Sequence, residues 1–413
     1  MSDLAAPSPA APSLAEPSSA EIEPFQAFFV SRLAHALKAE GRSIIHMEFG
    51  QPSTGAPKAA IAAAHAVLDA DPMGYWESTA LKARLVRHYR DAYGVEVEAE
   101  QFILTCGASP ALVLALSAAF APGDRIALAR PGYVAYRNTL KALHLTPVEI
   151  PCGAEVRFQL TAEALDRLEP APKGVIIASP ANPTGTIIGR DELEAIARVC
   201  RRRGIRIISD EIYHGLSYVG PTHSMLEFEP YPEFGTLVIN SFSKYFSMVA
   251  WRIGWLLAPP DLVPRARALM TNLFLTAPSL SQHAALVALD SREELEGHLA
   301  VYARNRALLL DALPRLGLNA IAPPDGAFYI YADIGHLTRD SLAFCLRLVR
   351  ETGVATAPGV DFDPVDGRHF IRLSFAVSTP EVEEAIHRLE PWFAKQARMP
   401  APEAAAAAAL PLS

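Results

Sequence analysis

Five short runs, residues 124–129, 173–178, 205–209, 236–240 and 253–257, are largely apolar and show no alternation of polar and apolar side chains. A strand with one face in water alternates with a period of two, so runs of this kind read as strands buried on both faces. Between them lie stretches with helical spacing. Residues 191–202, for example, set Leu193, Ile196, Ala197 and Cys200 along one side of a helix. Buried strands alternating with helices predict an α/β fold, a mostly parallel central sheet covered by helices on both faces. Open sheets of that type bind ligands just beyond the carboxyl ends of their strands. The residues that follow each run therefore carry the functional argument.

The run at 236–240 leads into Ser241-Phe242-Ser243-Lys244, and Arg252 follows in Trp251-Arg252-Ile253-Gly254. A lysine at the end of a buried strand, with hydroxyls before it and an arginine after it, suits a phosphorylated aldehyde. The amine can form a Schiff base while the serines and the guanidinium hold the phosphate. Alone, such a lysine is more often a solvated loop charge. Two more strand ends agree: Ser179-Pro180-Ala181-Asn182-Pro183-Thr184-Gly185, and Ser209-Asp210-Glu211-Ile212-Tyr213. Upstream, 102–105 reads as a strand, Gly107-Ala108-Ser109 as a turn, and Pro110 as the first residue of a helix capped by Ser109. A helix amino terminus offers free N–H groups and a positive dipole end to phosphate, although an ordinary capped helix has the same local sequence. Arg372, in Phe370-Ile371-Arg372-Leu373-Ser374-Phe375, stands inside an apolar strand where an unpaired charge is costly. Its partner is either an internal Asp or Glu or the carboxylate of a ligand, which a guanidinium grips with two parallel hydrogen bonds.

Taken in order, Asn-Pro-x-Gly from Asn182, Asp-x-x-Tyr from Asp210, Ser-x-x-Lys from Ser241 and Arg-x-Gly from Arg252 resemble the class I/II aminotransferases. These are pyridoxal-phosphate enzymes of fold type I, and the resemblance runs from about Gly50 to about Trp392. It implies a large domain holding pyridoxal 5'-phosphate, a smaller α+β domain completed by the N-terminal segment, and a homodimer with shared active sites. It also implies that Lys244 carries the cofactor as an aldimine and moves the α-proton of an L-amino acid, with a 2-oxo acid accepting the amino group in a ping-pong sequence. Asp210 would keep the pyridine nitrogen protonated, since a buried carboxylate beside it raises its pKa. Asn182 and Tyr213 would donate to the ring's phenolic oxygen; a simple Asn-Pro turn and a core tyrosine are the plainer readings. Ala108 and Ser109 would meet the phosphate through their backbones, Ser109 also through its hydroxyl, together with Ser241, Ser243 and Arg252. Tyr133 would stack on the ring, with Tyr136 three residues on as its competitor for that place. Tyr75, in Gly74-Tyr75-Trp76-Glu77, matches a tyrosine that reaches the partner subunit's phosphate; Thr79-Ala80-Leu81 stands where the family usually has a glycine. Arg372 matches the arginine that binds the substrate carboxylate. Gly50 matches a glycine that lets substrate approach, but Ser53-Thr54-Gly55 replaces an Asp-Phe pair common there.

Composition narrows the remaining readings. A net charge of −8 and the lack of a basic run argue against nucleic acid. The apolar helix candidate at 111–121 lies between Pro110 and Pro122 and falls short of the roughly 20 residues that cross a bilayer. Cys106, Cys152, Cys200 and Cys345 have no metal-ligand or redox spacing, which points to four reduced thiols in a cytoplasmic protein and no metal site. Residues 1–22, rich in Ala, Pro and Ser, read as a disordered lead without a signal peptide. Residues 398–413, with six consecutive alanines, read as a flexible tail. Between them we expect an N-terminal segment at 23–60, a large domain at 61–290 and a small domain at 291–397. Two other functions compete: a pyridoxal-phosphate lyase or synthase acting on a carbon–sulfur or similar bond, which shares every cofactor residue, and a ligand-sensing regulator that kept the fold. No arginine or lysine can be assigned to a second substrate carboxylate, and Phe328, Tyr329 and Trp251 near the motifs favour an aromatic or aliphatic donor at least equally.

Overall fold

The computed structural model describes residues 22–228 and 235–396. The expected lead before residue 22 and the tail after 398 lie outside the described residues. Among the described residues twelve strands are formed: β1 (Ile45–His46), β2 (Phe102–Thr105), β3 (Arg125–Arg130), β4 (Thr146–Pro151), β5 (Gly174–Ala178), β6 (Arg206–Asp210), β7 (Leu237–Ser241), β8 (Gly254–Leu257), β9 (Tyr329–Asp333), β10 (Val354–Ala355), β11 (Ala357–Pro358) and β12 (Phe370–Ser374). Seven of them make the central sheet in the order β2-β8-β7-β6-β5-β3-β4. From β4 to β7 every pairing is parallel, whereas β8 runs antiparallel to β7 and β2 antiparallel to β8. The five apolar runs all become strands of this sheet. An apolar run carries no direction, however, and β7 returns to β8 through a loop without a crossover α-helix, so β8 is antiparallel.

Apolar side chains on both faces hold the sheet. Ile126, Ile176, Ile208 and Ile239 pack on one side with Leu112, Leu116 and Met270. Val175, Ile177 and Ile207 pack on the other with Leu193, Ile196 and Cys200 of the helix Arg190–Arg203, along the face its spacing predicts. The helix after β2 starts earlier than expected. It spans Ala108–Ala119 with Gly107 as its N-cap, not Ser109, because Gly107 takes φ 101°, a backbone state that only glycine enters easily. Pro110 still lies in the first turn, where its missing N–H breaks no helical bond.

A second sheet, β11-β12-β9, is antiparallel, and β1 pairs in parallel with β10. Val30, Ala34, Ile45 and Met47 share a core with Ile330, Leu348, Val354, Ile371 and Leu389. The N-terminal segment is thereby packed into the same unit as the C-terminal elements. No helix among the described residues is long and apolar enough to cross a membrane.

Candidate active site

The carboxyl ends of β5, β6 and β7 open into a cavity of about 480 Å³, closed from the other side by β9, β12 and the N-terminal segment. Its wall contains Gly50, Ala108, Ser109, Tyr133, Asn182, Asp210, Tyr213, Ser243, Lys244, Arg252 and Arg372, residues drawn from elements up to 322 positions apart in the chain. Two of the expected site residues do not line it. Ser241, the last residue of β7, is buried behind Ser243: its hydroxyl lies 2.8 Å from Ser243 Oγ and accepts from the Ser243 N–H at 3.0 Å. Tyr75 is 84% exposed and belongs to a separate cavity beside Trp76 and Arg267.

Lys244 donates to the Gly50 carbonyl at 2.7 Å. Burial, then the positive fields of Arg372 and Arg252, bring its pKa down to about 8, with Asp210 pulling the other way. The amine is therefore available as a base within reach of neutral pH. Asp210 accepts from Tyr136 Oη at 2.5 Å and from the Ile212 N–H at 3.1 Å. Burial pushes its pKa up to about 6, against the lowering effect of those two donors and of Lys244. Tyr136 thus turns its hydroxyl to the carboxylate, while Tyr133, its competitor in the sequence, presents a separate phenol to the cavity. Burial, the fields of Tyr329 and Asp210, and the opposing pull of Arg372 and Arg252 leave that phenol at about 12.

Arg252 takes φ 51° and donates to the Val249 carbonyl at 2.9 Å, with the same nitrogen 3.5 Å from Ser243 Oγ. A Cβ on Gly107 would sit 2.5 Å from Arg252 Nη2. The guanidinium thus lies against the amino terminus of the helix Ala108–Ala119, and with Ser243 the two form a cationic cradle with free backbone donors.

On the opposite wall Arg372 is 5% exposed. It donates from Nη1 to Asn182 Oδ1 at 2.8 Å and from Nη2 to the Glu48 carbonyl, while Nε has no partner. No carboxylate among the described residues forms an ion pair with it, so the internal salt bridge is not made. Its guanidinium lies 4.4 Å from the ring centre of Tyr329 and 4.7 Å from that of Phe362. Tyr329 also meets Tyr213, hydroxyl to hydroxyl at 2.8 Å, and excludes any side chain from Gly50, whose Cβ would fall 1.7 Å from Tyr329 Oη.

Several lining residues carried no motif. Phe25 and Phe28 come from the N-terminal segment, which Asp361 ties down by accepting from the Gln26 and Ala27 N–H groups at 2.6 and 2.8 Å. Phe49 and Phe362 complete an apolar roof with them. Phe328 and Trp251, which lie near the motifs in the sequence, do not line the cavity; Phe328 is fully buried in the core.

Residues 42–389 match the family described as aminotransferase class I and II. The chain belongs to that family. It is 44% identical over 382 residues to the valine–pyruvate aminotransferase of Mycobacterium tuberculosis, covering 91% of this chain and 98% of that protein. Among solved structures, an aminotransferase from Mycobacterium tuberculosis superposes with a TM-score of 0.89 at 43% identity, covering 93% of this chain and all of the other. The aspartate aminotransferase of Thermus thermophilus with maleate gives 0.84 at 30% identity, covering 90% and 97%. The fold is therefore that of the type I aminotransferases, and the protein is an amino-group transferase. The lyase reading is not favoured.

Proposed function

We propose that this enzyme uses pyridoxal 5'-phosphate to move the amino group of an apolar, monocarboxylic L-amino acid to a 2-oxo acid, in two half-reactions at Lys244. The observation that carries the substrate class is the charge inventory of the cavity. Among the described residues its cations are Lys244, Arg252 and Arg372, and each already has a task. None is left for a second substrate carboxylate, and Phe25, Phe28, Phe49 and Phe362 offer the side chain an apolar surface. The valine–pyruvate specificity named for the 44%-identical relative agrees with this choice.

The donor set fits the cofactor. The cradle of Ala108, Ser109, Ser243 and Arg252 suits a phosphate, with Ser241 setting the Ser243 hydroxyl. Asp210 suits a ring nitrogen, Tyr133 a ring face, and Asn182 and Tyr213 a phenolic oxygen. Bound there, pyridoxal phosphate supplies an electrophilic aldehyde for Lys244 and a ring that accepts electrons from the substrate α-carbon. The chain's own residues do the rest. Arg372 fixes the α-carboxylate with its unengaged N–H groups, which sets the Cα–H bond toward Lys244. The Lys244 amine, depressed to about 8, takes that proton and returns it. The phenylalanine roof limits the entry of water.

We further infer a cytoplasmic homodimer. The exposure of Tyr75, away from its own chain's cavity, supports a role at the partner's site, and four free cysteines suit a reducing compartment. The core that joins residues near 30–47 to those after 302 supports a division into a large unit at 61–290 and a small unit at 291–397 completed by 23–60. The test is the near-ultraviolet and visible spectrum of the purified protein during titration with L-valine, L-phenylalanine, L-aspartate and then 2-oxo acids. Spectral conversion by the apolar donors and reversal by a 2-oxo acid support the reading. Conversion by aspartate alone refutes the substrate class, and pyruvate and ammonia formed without conversion refute transamination.

A further inference from the structure

Tyr329 lies where three supports of the candidate active site meet. It is the first residue of β9 and pairs with Ser374 of β12, which makes Arg372 its diagonal neighbour on the same face of the sheet. That placement sets its ring centre 4.4 Å from the Arg372 guanidinium. Its hydroxyl lies 2.8 Å from that of Tyr213, and a Cβ on Gly50 would fall 1.7 Å from the same oxygen. The phenol is thus pinned between the loop after β6 and the N-terminal segment. Tyr329 is 1% exposed, and Tyr213 is the one hydrogen-bond partner of its hydroxyl among the described residues.

A count of protons sets the direction of the contact between the two phenols. Burial raises the pKa of both, so each keeps its proton near neutral pH. A phenol has one proton to donate. Of the two protons, one lies in the 2.8 Å contact and the other is left for the cavity that both residues line. If Tyr213 spends its proton on Tyr329, it has none for a ligand; if Tyr329 donates, the Tyr213 proton is free. Asn182 is set in a parallel way. Arg372 donates to its Oδ1 at 2.8 Å, which leaves the Nδ2 hydrogens for the cavity. Tyr329 therefore bears on both donors, on Tyr213 through its hydroxyl and on Asn182 through the guanidinium against its ring.

We propose that Tyr329 is a positioning residue of this site. Its hydroxyl donates to Tyr213 and so commits the Tyr213 proton to the phenolic oxygen of the cofactor, while its ring holds the Arg372 guanidinium in place. A hydroxyl that accepts a hydrogen bond is polarised and becomes a stronger donor, so Tyr329 acts on the cofactor through Tyr213. This role depends on the donation from Tyr213 to that oxygen proposed above.

The test is a pH titration of the absorption spectrum of the cofactor-loaded enzyme without substrate, in the native chain, Tyr213→Phe, Tyr329→Phe and the double variant. A donor at the phenolic oxygen favours its anionic form, so the spectral transition moves to higher pH when donation weakens. Tyr213→Phe removes the donor and should raise the midpoint by about 1–2 pH units. Tyr329→Phe keeps the ring, removes only the bond that polarises the donor, and should raise the midpoint by about 0.2–0.5 pH unit. In the Tyr213→Phe background the same change should add nothing. The ring is read separately: KM for an apolar amino acid should stay within about twofold of native in Tyr329→Phe and rise about three- to thirtyfold in Tyr329→Leu. No shift in Tyr329→Phe beside a clear shift in Tyr213→Phe overturns the proposal and leaves the role of Tyr213 standing, whereas no shift in either refutes both. A Tyr329→Phe shift that persists without the Tyr213 hydroxyl also overturns it, because Tyr329 would then act directly or by general disturbance of the site. Unchanged KM in Tyr329→Leu refutes the part assigned to the ring.

Discussion

Replacing Arg372 by lysine keeps the charge and removes the fork, which isolates what the guanidinium geometry contributes. Arg372 has five N–H groups. One on Nη1 goes to Asn182 and one on Nη2 to the Glu48 carbonyl, and Nε is fully buried, which leaves one N–H on each Nη for a carboxylate. Lysine has three donors in all, so after satisfying Asn182 and Glu48 it can give a carboxylate one bond where arginine gives two. A lost charge-assisted hydrogen bond is worth about 1.5–3 kcal/mol, and kcat/KM for the amino-acid half-reaction should fall about ten- to hundredfold. The assay compares an apolar amino acid with the primary amine that lacks its carboxylate, each followed as single-turnover spectral conversion. The amine never uses the fork, so Arg372→Lys should leave its rate within about threefold of wild type. Equal losses for both compounds would refute the argument, because they would mean that Arg372 acts by holding Asn182 and the β1 segment in place.

Three other perturbations follow from single contacts. Tyr136→Phe removes a donor that lowers the pKa of Asp210, so the carboxylate, at about 6 in the native enzyme, should protonate at a higher pH. The acidic limb of the pH–rate profile should then move upward, and an unmoved limb would exclude Asp210 from that limb. Gly107→Ala places a Cβ 2.5 Å from Arg252 Nη2 and forces a glycine-only backbone state at a cost of about 1–3 kcal/mol; weaker cofactor binding in a fluorescence titration should accompany the lower melting temperature. Asp361→Ala unties two N–H groups at the start of the helix Ala27–Ala39, costs about 1 kcal/mol, and should raise KM for apolar donors because Phe25 and Phe28 lose their anchor. Unchanged KM would separate the roof from substrate binding.

Lys244, Asp210, Asn182 and Arg252 could be found in the sequence because each follows or joins a buried strand in a fixed order, and strand ends are where an α/β sheet exposes polar groups. Arg372 could be found because a charge inside an apolar strand demands a partner. The direction of β8 could not, since pairing sense depends on the connection and not on the apolar run. Nor could the start of the helix at Ala108, which rests on the φ of Gly107, a property that a Ser-Pro pair downstream does not report. Tyr133 precedes the helix Val134–Ala142 as its N-cap and Tyr136 lies in its first turn, so the packing of that turn decides which of them meets Asp210. Phe25, Phe28 and the Asp361 anchor depend on contacts across more than 330 residues of chain, for which the local sequence contains no spacing rule.

The cavity buries Lys244 beside Arg252 and Arg372, with Asp210 at its base and Asp361 at its roof, and burial first and the neighbouring cations second disfavour a positive charge on the lysine. The cost falls on Lys244, whose pKa drops from 10.5 to about 8. A proton on this lysine therefore destabilises the cofactor-free fold by about 3 kcal/mol. The sign follows from proton counting: between pH 8 and 10.5 the unfolded chain holds a proton on Lys244 that the folded chain has released, so stability from this group rises with pH across that window. The penalty is fully present below it. Lys244→Met keeps the length and apolar stem and cannot titrate. Cofactor-free Lys244→Met should thus be more stable than the cofactor-free native chain at pH 7, with the difference shrinking as pH approaches 10, as read from urea midpoints. A variant no more stable at pH 7, or a difference that stays constant with pH, would mean that the buried amine is not the strained element. The depressed pKa would then need another source than burial of the amine beside two other cations.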